Sequence, residues 1–418
     1  MKVIHLNYSD IKGGASIAAY RIHKAQINFG INSKLIVHKK NIDDPNVIKL
    51  RNHPSTLIRD LHHKIESKFL KTFVNLDDQC SASVFPSFNP KIINSLETDI
   101  VNLHWINAGM LSIYEISKII KPKVWTLHDM WPFSSIEHYP SSDYWKLGAP
   151  EYPKLKYLNL ESIIKRYIFA RKMIAWQEPF PIVAPSEWIK EQVAQSKIMK
   201  SWPIYVINNP INLEKWVPES KDIARKKLNL PQNKNLVLFG SSGGVNDKRK
   251  GFLDLLKSLK KINEKIELVI FGRKYPIKDT GGIVIHQMGY IQNSKTLNLL
   301  YSACDLLAIP SKQDNFPNTI LESMAAETPV VGYQIGGIPE LIDHKNNGYL
   351  AKKDNYKDFA NGIEWILKHN KDNKIGRNAR KWAEVKFSFQ ECSDKYQSLY
   401  EELLMKNTKQ NFSNTLFL

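Results

Sequence analysis

A chain of 418 residues, 43% hydrophobic and 24% charged, carries enough apolar content for more than one core, so two domains are expected. No apolar run approaches the length of a bilayer span, and MKVIHLNYSD lacks the charged-then-apolar layout of a signal peptide, so a chain that stays in the cytoplasm is expected. The net charge of +18 attracts acidic partners, yet no nucleic-acid motif accompanies it, and Cys80, Cys304 and Cys392 are too few and too scattered for a disulfide framework or a zinc site.

Short β-rich apolar runs alternate with longer amphipathic segments, the pattern of α/β domains with parallel sheets. KVIHLN reads as the first strand. Gly13 and Gly14 follow it, and then ASIAAYRIHKAQINFG, which has helical spacing and stops at Gly30. KLIVHK, DIVNLHW, KVWTLHD and PIVAPS read as further strands of one doubly wound unit. YVINNPINLEKWVPES, with Asn208, Asn209, Pro210 and Pro218 as breakers, reads as the linker. A second unit begins near Leu236 with LVLFGSSGG and continues through IELVIFG, GIVIHQMG, DLLAIPS and PVVGYQ. The boundaries are set at 1–207, 208–385 and 386–418. The last segment is a helix with Phe387, Tyr396, Leu399, Tyr400, Leu403 and Leu404 along it, followed by a tail expected to fray.

Two such units present the carboxyl ends of their strands to a shared cleft, where open α/β sheets bind ligands. Gly13 and Gly14 stand between the first strand and the first helix, where a backbone without Cβ atoms admits a phosphate or sugar to the helix N-terminus, or simply makes a tight turn. Gly243 and Gly244 occupy the same place in the second unit, followed by Asp247, Arg249, Lys250 and Gly251. A lysine there can neutralise a leaving phosphate. The run SKQDNFPNTILESMAAETPVVGYQIGGIPE, Ser311 to Glu340, carries two carboxylates around a helix start. Pro317 suits a first turn and Asn318 to Ala326 reads as helix. Asp314 then sits before its positive end, with Glu322 about a turn inside, on the face of Asn318. An ordinary capped helix with an acid in its body is the plain alternative. His128, at the end of KVWTL, is placed to hydrogen-bond a sugar hydroxyl or to cap the next turn, and His104 in NLHW is open to the same two readings. The basic stretches Arg51 to Lys71 and Lys154 to Lys172, interleaved with apolar residues, suit either an anionic membrane surface or a solvated helix face.

The wording GGASIAAYR near the start, TLHDMW at Thr126 to Trp131, APSEW at Ala184 to Trp188, NNPIN at Asn208 to Asn212, RKGF at Arg249 to Phe252, and P-S-x-x-D-x-F-P-N-x-x-L-E at Pro310 to Glu322 resembles the retaining family 4 glycosyltransferases of the GT-B fold. Within them it is similar to the bacterial exopolysaccharide and colanic-acid type. The resemblance implies two Rossmann-like domains facing across a cleft, with a terminal helix crossing back to the first. It implies transfer of a sugar from a UDP- or GDP-linked donor to a glycan or polyprenyl-linked acceptor in surface polysaccharide or capsule synthesis. No cofactor and no metal ion are implied; the basic stretches named above are what suggest a peripheral place at the inner face of the membrane.

By the same resemblance, Glu322 matches the second acid of an E-x7-E motif, which holds the nucleotide ribose. Asp314 takes the place of the first acid, where the family uses glutamate, one methylene longer. The backbone around Asn315, Phe316 and Asn318 matches the segment whose amides contact the donor sugar and phosphate, Thr319 is counted with it, and Lys250 matches the lysine on the diphosphate. The family's partner arginine has no direct counterpart, since Gly243, Gly244, Val245 and Asn246 fill that region, leaving Lys248, Arg249 or Arg273 as substitutes. Gly14, beside Gly13, matches the first-domain loop near the phosphate, and His128 the histidine near the donor sugar. The resemblance favours same-face attack, with Asp314 a positioning and electrostatic residue. A GT-B epimerase-like protein and a catalytically silent relative that binds nucleotide sugars are the rival readings.

Overall fold

The computed structural model describes residues 1–50, 54–74, 80–85, 89–148, 159–241, 243–277 and 279–415. The chain divides into two compact units, 1–208 with 392–418, and 209–391. The first holds strands β1 (Lys2–Ser9), β2 (Asn32–Lys39), β3 (Val47–Lys49), β4 (Ile100–Leu103), β5 (Lys123–Thr126), β6 (Ile182–Ala184) and β7 (Ile204–Val206). They pair in parallel in the order β3-β2-β1-β4-β5-β6-β7. The second holds β8 (Asn235–Ser241), β9 (Ile266–Gly272), β10 (Ile285–Gly289), β11 (Leu306–Ile309), β12 (Val330–Tyr333) and β13 (Gly348–Ala351), in the parallel order β10-β9-β8-β11-β12-β13. Each sheet grows outward one way from its first strand and then the other. The strand order therefore reverses between β1 and β4 in one sheet and between β8 and β11 in the other.

Parallel strands covered on both faces read as near-continuous apolar runs, and successive side chains pack on opposite sides. In the first unit Ile4, Leu6, Val101, Leu103, Trp125 and Ile182 point into one cluster. Their neighbours Val3, Ile100, Val124 and Val183 point into another, which Cys392, Tyr396, Leu399 and Tyr400 of the helix Phe389–Thr415 complete. On that second face, period two brings His5 in line with Val3, Asn102 with Ile100, and Thr126 with Val124. These polar side chains meet the terminal helix through hydrogen bonds. Asn102 Nδ2 donates to Tyr400 Oη (2.8 Å), and the hydroxyls of Thr126 and Tyr396 pair at 2.9 Å.

Three short strands depart from the sequence expectation. β3 and β13 lie where no strand is expected, and β7 occupies the start of the segment read as linker. The helix Phe389–Thr415 also takes in most of the tail expected to fray, while 416–418 lie outside the described residues.

Candidate functional site

In the second unit, loops that follow β8, β11 and β12 converge where the strand order reverses. Asp247 caps a short turn, its carboxylate accepting from Arg249 N at 3.1 Å, and Gly251 closes the turn at φ 70°. A Cβ on Gly251 would lie 1.9 Å from the Pro310 carbonyl oxygen, so only glycine lets the β8 loop lie against the end of β11. Two further bonds tie these loops. Lys312 N donates to Arg249 O (2.8 Å), and Arg249 Nη1 donates to Gln313 O (3.0 Å). The third loop docks through Gly336, at φ 53°, where a Cβ would stand 1.8 Å from the Asp314 carbonyl oxygen.

This packing sets Lys250 Nζ 2.5 Å from Asp314 Oδ2, while Ser311 Oγ donates to the same oxygen at 3.3 Å. Burial alone raises the pKa of the Asp314 carboxyl. The charges of Lys250 and Arg249 and the two hydrogen bonds outweigh it and hold the group below the ordinary carboxylate value. A buried carboxylate with a partly exposed ammonium beside it is a charged pair from which the cation can turn to another anion.

The helix Asn318–Ala325 begins directly after this pair. Pro317 is its N-cap, one position earlier than the first-turn place read from sequence, and its side chain offers no oxygen for capping. Asn318 and Thr319 are half-buried on the first turn, and Asn315 is buried before it. The Phe316 side chain packs on Phe387 with ring centroids 5.5 Å apart, so its backbone, the part the resemblance assigns to the donor, is what it offers to the loop. Glu322 is buried inside the helix, its Oε2 accepting from Tyr301 Oη at 2.9 Å. Gly243 is exposed, and Gly244 is buried at φ 68°, with room for a Cβ denied by the Arg273 carbonyl 2.4 Å away. Of the three substitutes for the missing arginine, Arg249 is bonded into the 311–314 loop, and the Arg273 guanidinium lies over the Tyr275 ring, 5.3 Å from its centroid.

In the first unit, Gly13 is the N-cap of the helix Gly14–Asn28 at φ 95°, with nothing within 4 Å of where a Cβ would stand. The loop before it is held by Asp10, whose carboxylate accepts from the backbone amides of Ile11, Asn41 and Ile42. Burial alone would raise its pKa, but the Asn41 side-chain amide, which donates to it at 2.6 Å, and then these backbone bonds outweigh burial and depress it. His128 follows β5, and its Nε2 lies 2.9 Å from His104 Nδ1. Next to it, Asp129 accepts from Trp105 Nε1 (3.1 Å) and Trp131 N (3.0 Å) and pairs with His138 Nδ1 at 2.6 Å. Asp10, His5 and His138 escaped sequence reasoning. The one signal was a histidine in the middle of an apolar first strand. Among the described residues no group of three or more His, Cys, Asp or Glu side chains is placed to hold a metal ion.

Residues 12–215 match the family model for Glycosyltransferase Family 4, and residues 220–382 that for Glycosyl transferases group 1. Neither model alone covers half of the chain, but together they span most of it, and with the two parallel sheets they support a family 4 glycosyltransferase of the GT-B fold. An uncharacterized glycosyltransferase of Methanocaldococcus jannaschii is 27% identical to it over 253 residues, 59% of this chain and 66% of the relative. The capsular polysaccharide biosynthesis glycosyltransferase CapM of Staphylococcus aureus is 26% identical over 240 residues, 54% of this chain and 62% of the relative. The chain thus spans less than two thirds of the length of these curated relatives. Among solved structures, sucrose-phosphate synthase from Thermosynechococcus elongatus superposes with a TM-score of 0.67 at 18% identity, covering 97% of this chain and 100% of that one. Anabaena HepE, solved with UDP-glucose, gives 0.63 at 18% identity, covering 96% of this chain and 100% of that one. At such identity the likeness speaks for the fold.

Proposed function

We propose that this glycosyltransferase moves a sugar from a nucleoside-diphosphate donor to a glycan or polyprenyl-linked acceptor, with retention of anomeric configuration and without a metal ion, in bacterial surface polysaccharide synthesis. The observation that carries the reading is the Lys250–Asp314 pair at the strand-order reversal of the second sheet, directly before the N-terminus of the helix Asn318–Ala325. A helix N-terminus and a lysine favour a diphosphate. HepE was solved with UDP and with UDP-glucose, and CapM is named for capsule synthesis, which supports a nucleotide sugar here and that use of it.

In the reaction, the bond from the anomeric carbon to the diphosphate oxygen breaks and its electron pair goes to the diphosphate. Lys250 and the first-turn amides at Asn318 and Thr319 neutralise that growing charge. The acceptor hydroxyl adds on the same face, and its proton passes to the departing diphosphate. Asp314, kept ionised, orients Lys250 and faces the positive character on the sugar. Glu322 takes the nucleotide ribose, and His128 with the Gly13–Gly14 turn serves the sugar side. Transfer of radiolabelled sugar by the parent, lost on Glu322→Ala and on Lys250→Ala, is the expected result. Transfer that survives both changes would overturn the site, and a parent inert with every nucleotide sugar would favour a silent relative.

We further propose that the first unit rests on an anionic membrane at its cytoplasmic face. No described helix is long and apolar enough to cross a membrane. The helix Pro54–Phe73 is anchored by buried Leu70 and by Glu66, whose carboxylate accepts from the amides of Ala82, Ser83 and Val84. Leu61, Ile65, Phe69 and Phe73 are left exposed at a spacing of four, beside Lys64, Lys68 and Lys71. Residues 51–53 and 154–158 of the two basic stretches lie outside the described residues. Co-flotation with phosphatidylglycerol vesicles, absent with neutral ones and reduced by Phe69→Ser, is expected; flotation indifferent to lipid charge contradicts it.

A further inference from the structure

Four side chains of the first unit stand in single file beneath the end of β5. Gln26 Oε1 meets His5 Nε2 at 2.8 Å, His5 Nδ1 meets His104 Nε2 at 2.8 Å, and His104 Nδ1 meets His128 Nε2 at 2.9 Å. Gln26, His5 and His104 are buried and His128 is half-buried. At the far end, Gln26 Nε2 donates to Tyr400 Oη (3.2 Å) on the terminal helix, which Asn102 Nδ2 also reaches (2.8 Å). Burial keeps all three rings neutral. It brings His5 and His128 down to about 4, against the opposing effects of the Gln26 bond and of Asp129, and lowers His104 well below its ordinary value.

A neutral imidazole has one N–H and one lone pair. At these distances two lone pairs, or two hydrogens, cannot face each other, so every ring in the file must carry its hydrogen on the same nitrogen. Gln26 decides which. Its carbonyl oxygen faces His5, so His5 Nε2 bears the hydrogen, His5 Nδ1 accepts from His104 Nε2–H, and His104 Nδ1 accepts from His128 Nε2–H. The one ring nitrogen left without a partner among the described residues is His128 Nδ1, and it is a lone pair.

We propose that Gln26, His5 and His104 are positioning residues that lock His128 in its Nε2–H tautomer and so present Nδ1 as a fixed hydrogen-bond acceptor to a hydroxyl of the sugar substrate. The sugar as ligand rests on the function proposed above; the tautomer does not. The device selects chemically. An acceptor nitrogen takes the hydrogen of a sugar hydroxyl and repels a carboxylate or phosphate oxygen at the same point, so a neutral sugar is favoured there over a uronate. The terminal helix, through Tyr400, helps to hold the amide that sets this polarity.

The test uses the full chain labelled with nitrogen-15 at histidine and long-range proton–nitrogen spectra near neutral pH, with His128 assigned by the signals lost in His128→Gln. His128 is expected as Nε2–H in the parent and in Gln26→Glu, where the carboxylate only accepts. Gln26→Lys, which only donates, is expected to reverse it to Nδ1–H. Should the lysine variant fail to fold, the parent and Gln26→Glu spectra still decide. An Nδ1–H tautomer or an imidazolium in the parent overturns the inference, as does a folded Gln26→Lys protein that retains Nε2–H. Because the spectra need no substrate, loss of sugar transfer with the Nε2–H pattern intact counts against the proposed function alone.

Discussion

Asp314 and Lys250 hold each other in place, and a test of their roles must separate stability from chemistry. Lys250→Met leaves a buried carboxylate without its ammonium and is expected to cost about 1–3 kcal/mol in urea unfolding. Adding Asp314→Asn removes the stranded charge, so the double variant should regain most of that stability while transfer stays lost. Full recovery of both would make the pair purely structural. A second prediction concerns the buried histidines. His5 has a folded pKa of about 4 against 6.5 unfolded, so the unfolded chain binds the extra proton and stability falls as pH drops from about 6.5 towards 4. The loss attributable to His5 approaches roughly 3 kcal/mol, and His5→Gln should flatten the profile of urea midpoint against pH in that window. The depressed carboxyl of Asp314 acts in a different range. Its stabilisation is present above pH 3.8 and disappears as pH falls below that value. Asp314, Lys250 and Glu322 were legible in the sequence because each stands in a contiguous motif. His5 and Gln26 were not, since their partners come from neighbouring strands and from the terminal helix.

Three loops hold the second unit's site together, and glycine makes each contact possible. Gly251→Ala would force a Cβ against the Pro310 carbonyl at a positive φ, so the turn bearing Arg249 and Lys250 must move. A stability loss of at least about 1 kcal/mol is expected in denaturant unfolding, with transfer reduced further than the loss of folded protein explains. Unchanged transfer would mean that the turn need not be where it is seen. The alternation of strands and helices made β1, β8 and β11 readable, and with them the places of Gly13, Gly243 and Asp314. β3, β7 and β13 did not stand out in that alternation; β13 begins on Gly348, where an added Cβ would stand 2.5 Å from the Val330 carbonyl oxygen. The polar layer of Asn102, Thr126, Tyr396 and Tyr400 was likewise hidden, because it requires knowing which helix covers which face.

At the scale of the whole chain, the first unit is completed by residues 392–418. Cys392, Tyr396, Leu399 and Tyr400 are buried over Val3, Ile100, Val124 and Val183. Burial of side chains of this size contributes roughly 1.5–3 kcal/mol each, together a large part of the 5–15 kcal/mol typical of a domain. A chain ending at Glu391 should therefore lose the cooperative melting of the first unit, and a truncated chain that melts like the parent would mean the helix is dispensable. The proposed donor site lies in the second unit, and a ligand bound there would stabilise the folded state in proportion to its affinity. Thermal melting of the parent and of Glu322→Ala against a panel of UDP- and GDP-sugars puts nucleotide-sugar recognition to the test. At about a hundred times Kd, at least one nucleotide sugar should raise the parent's Tm by roughly 5–10 °C and leave Glu322→Ala nearly unmoved. A panel that shifts neither protein, or both equally, would contradict a nucleotide-sugar site built on Lys250, Asp314 and Glu322.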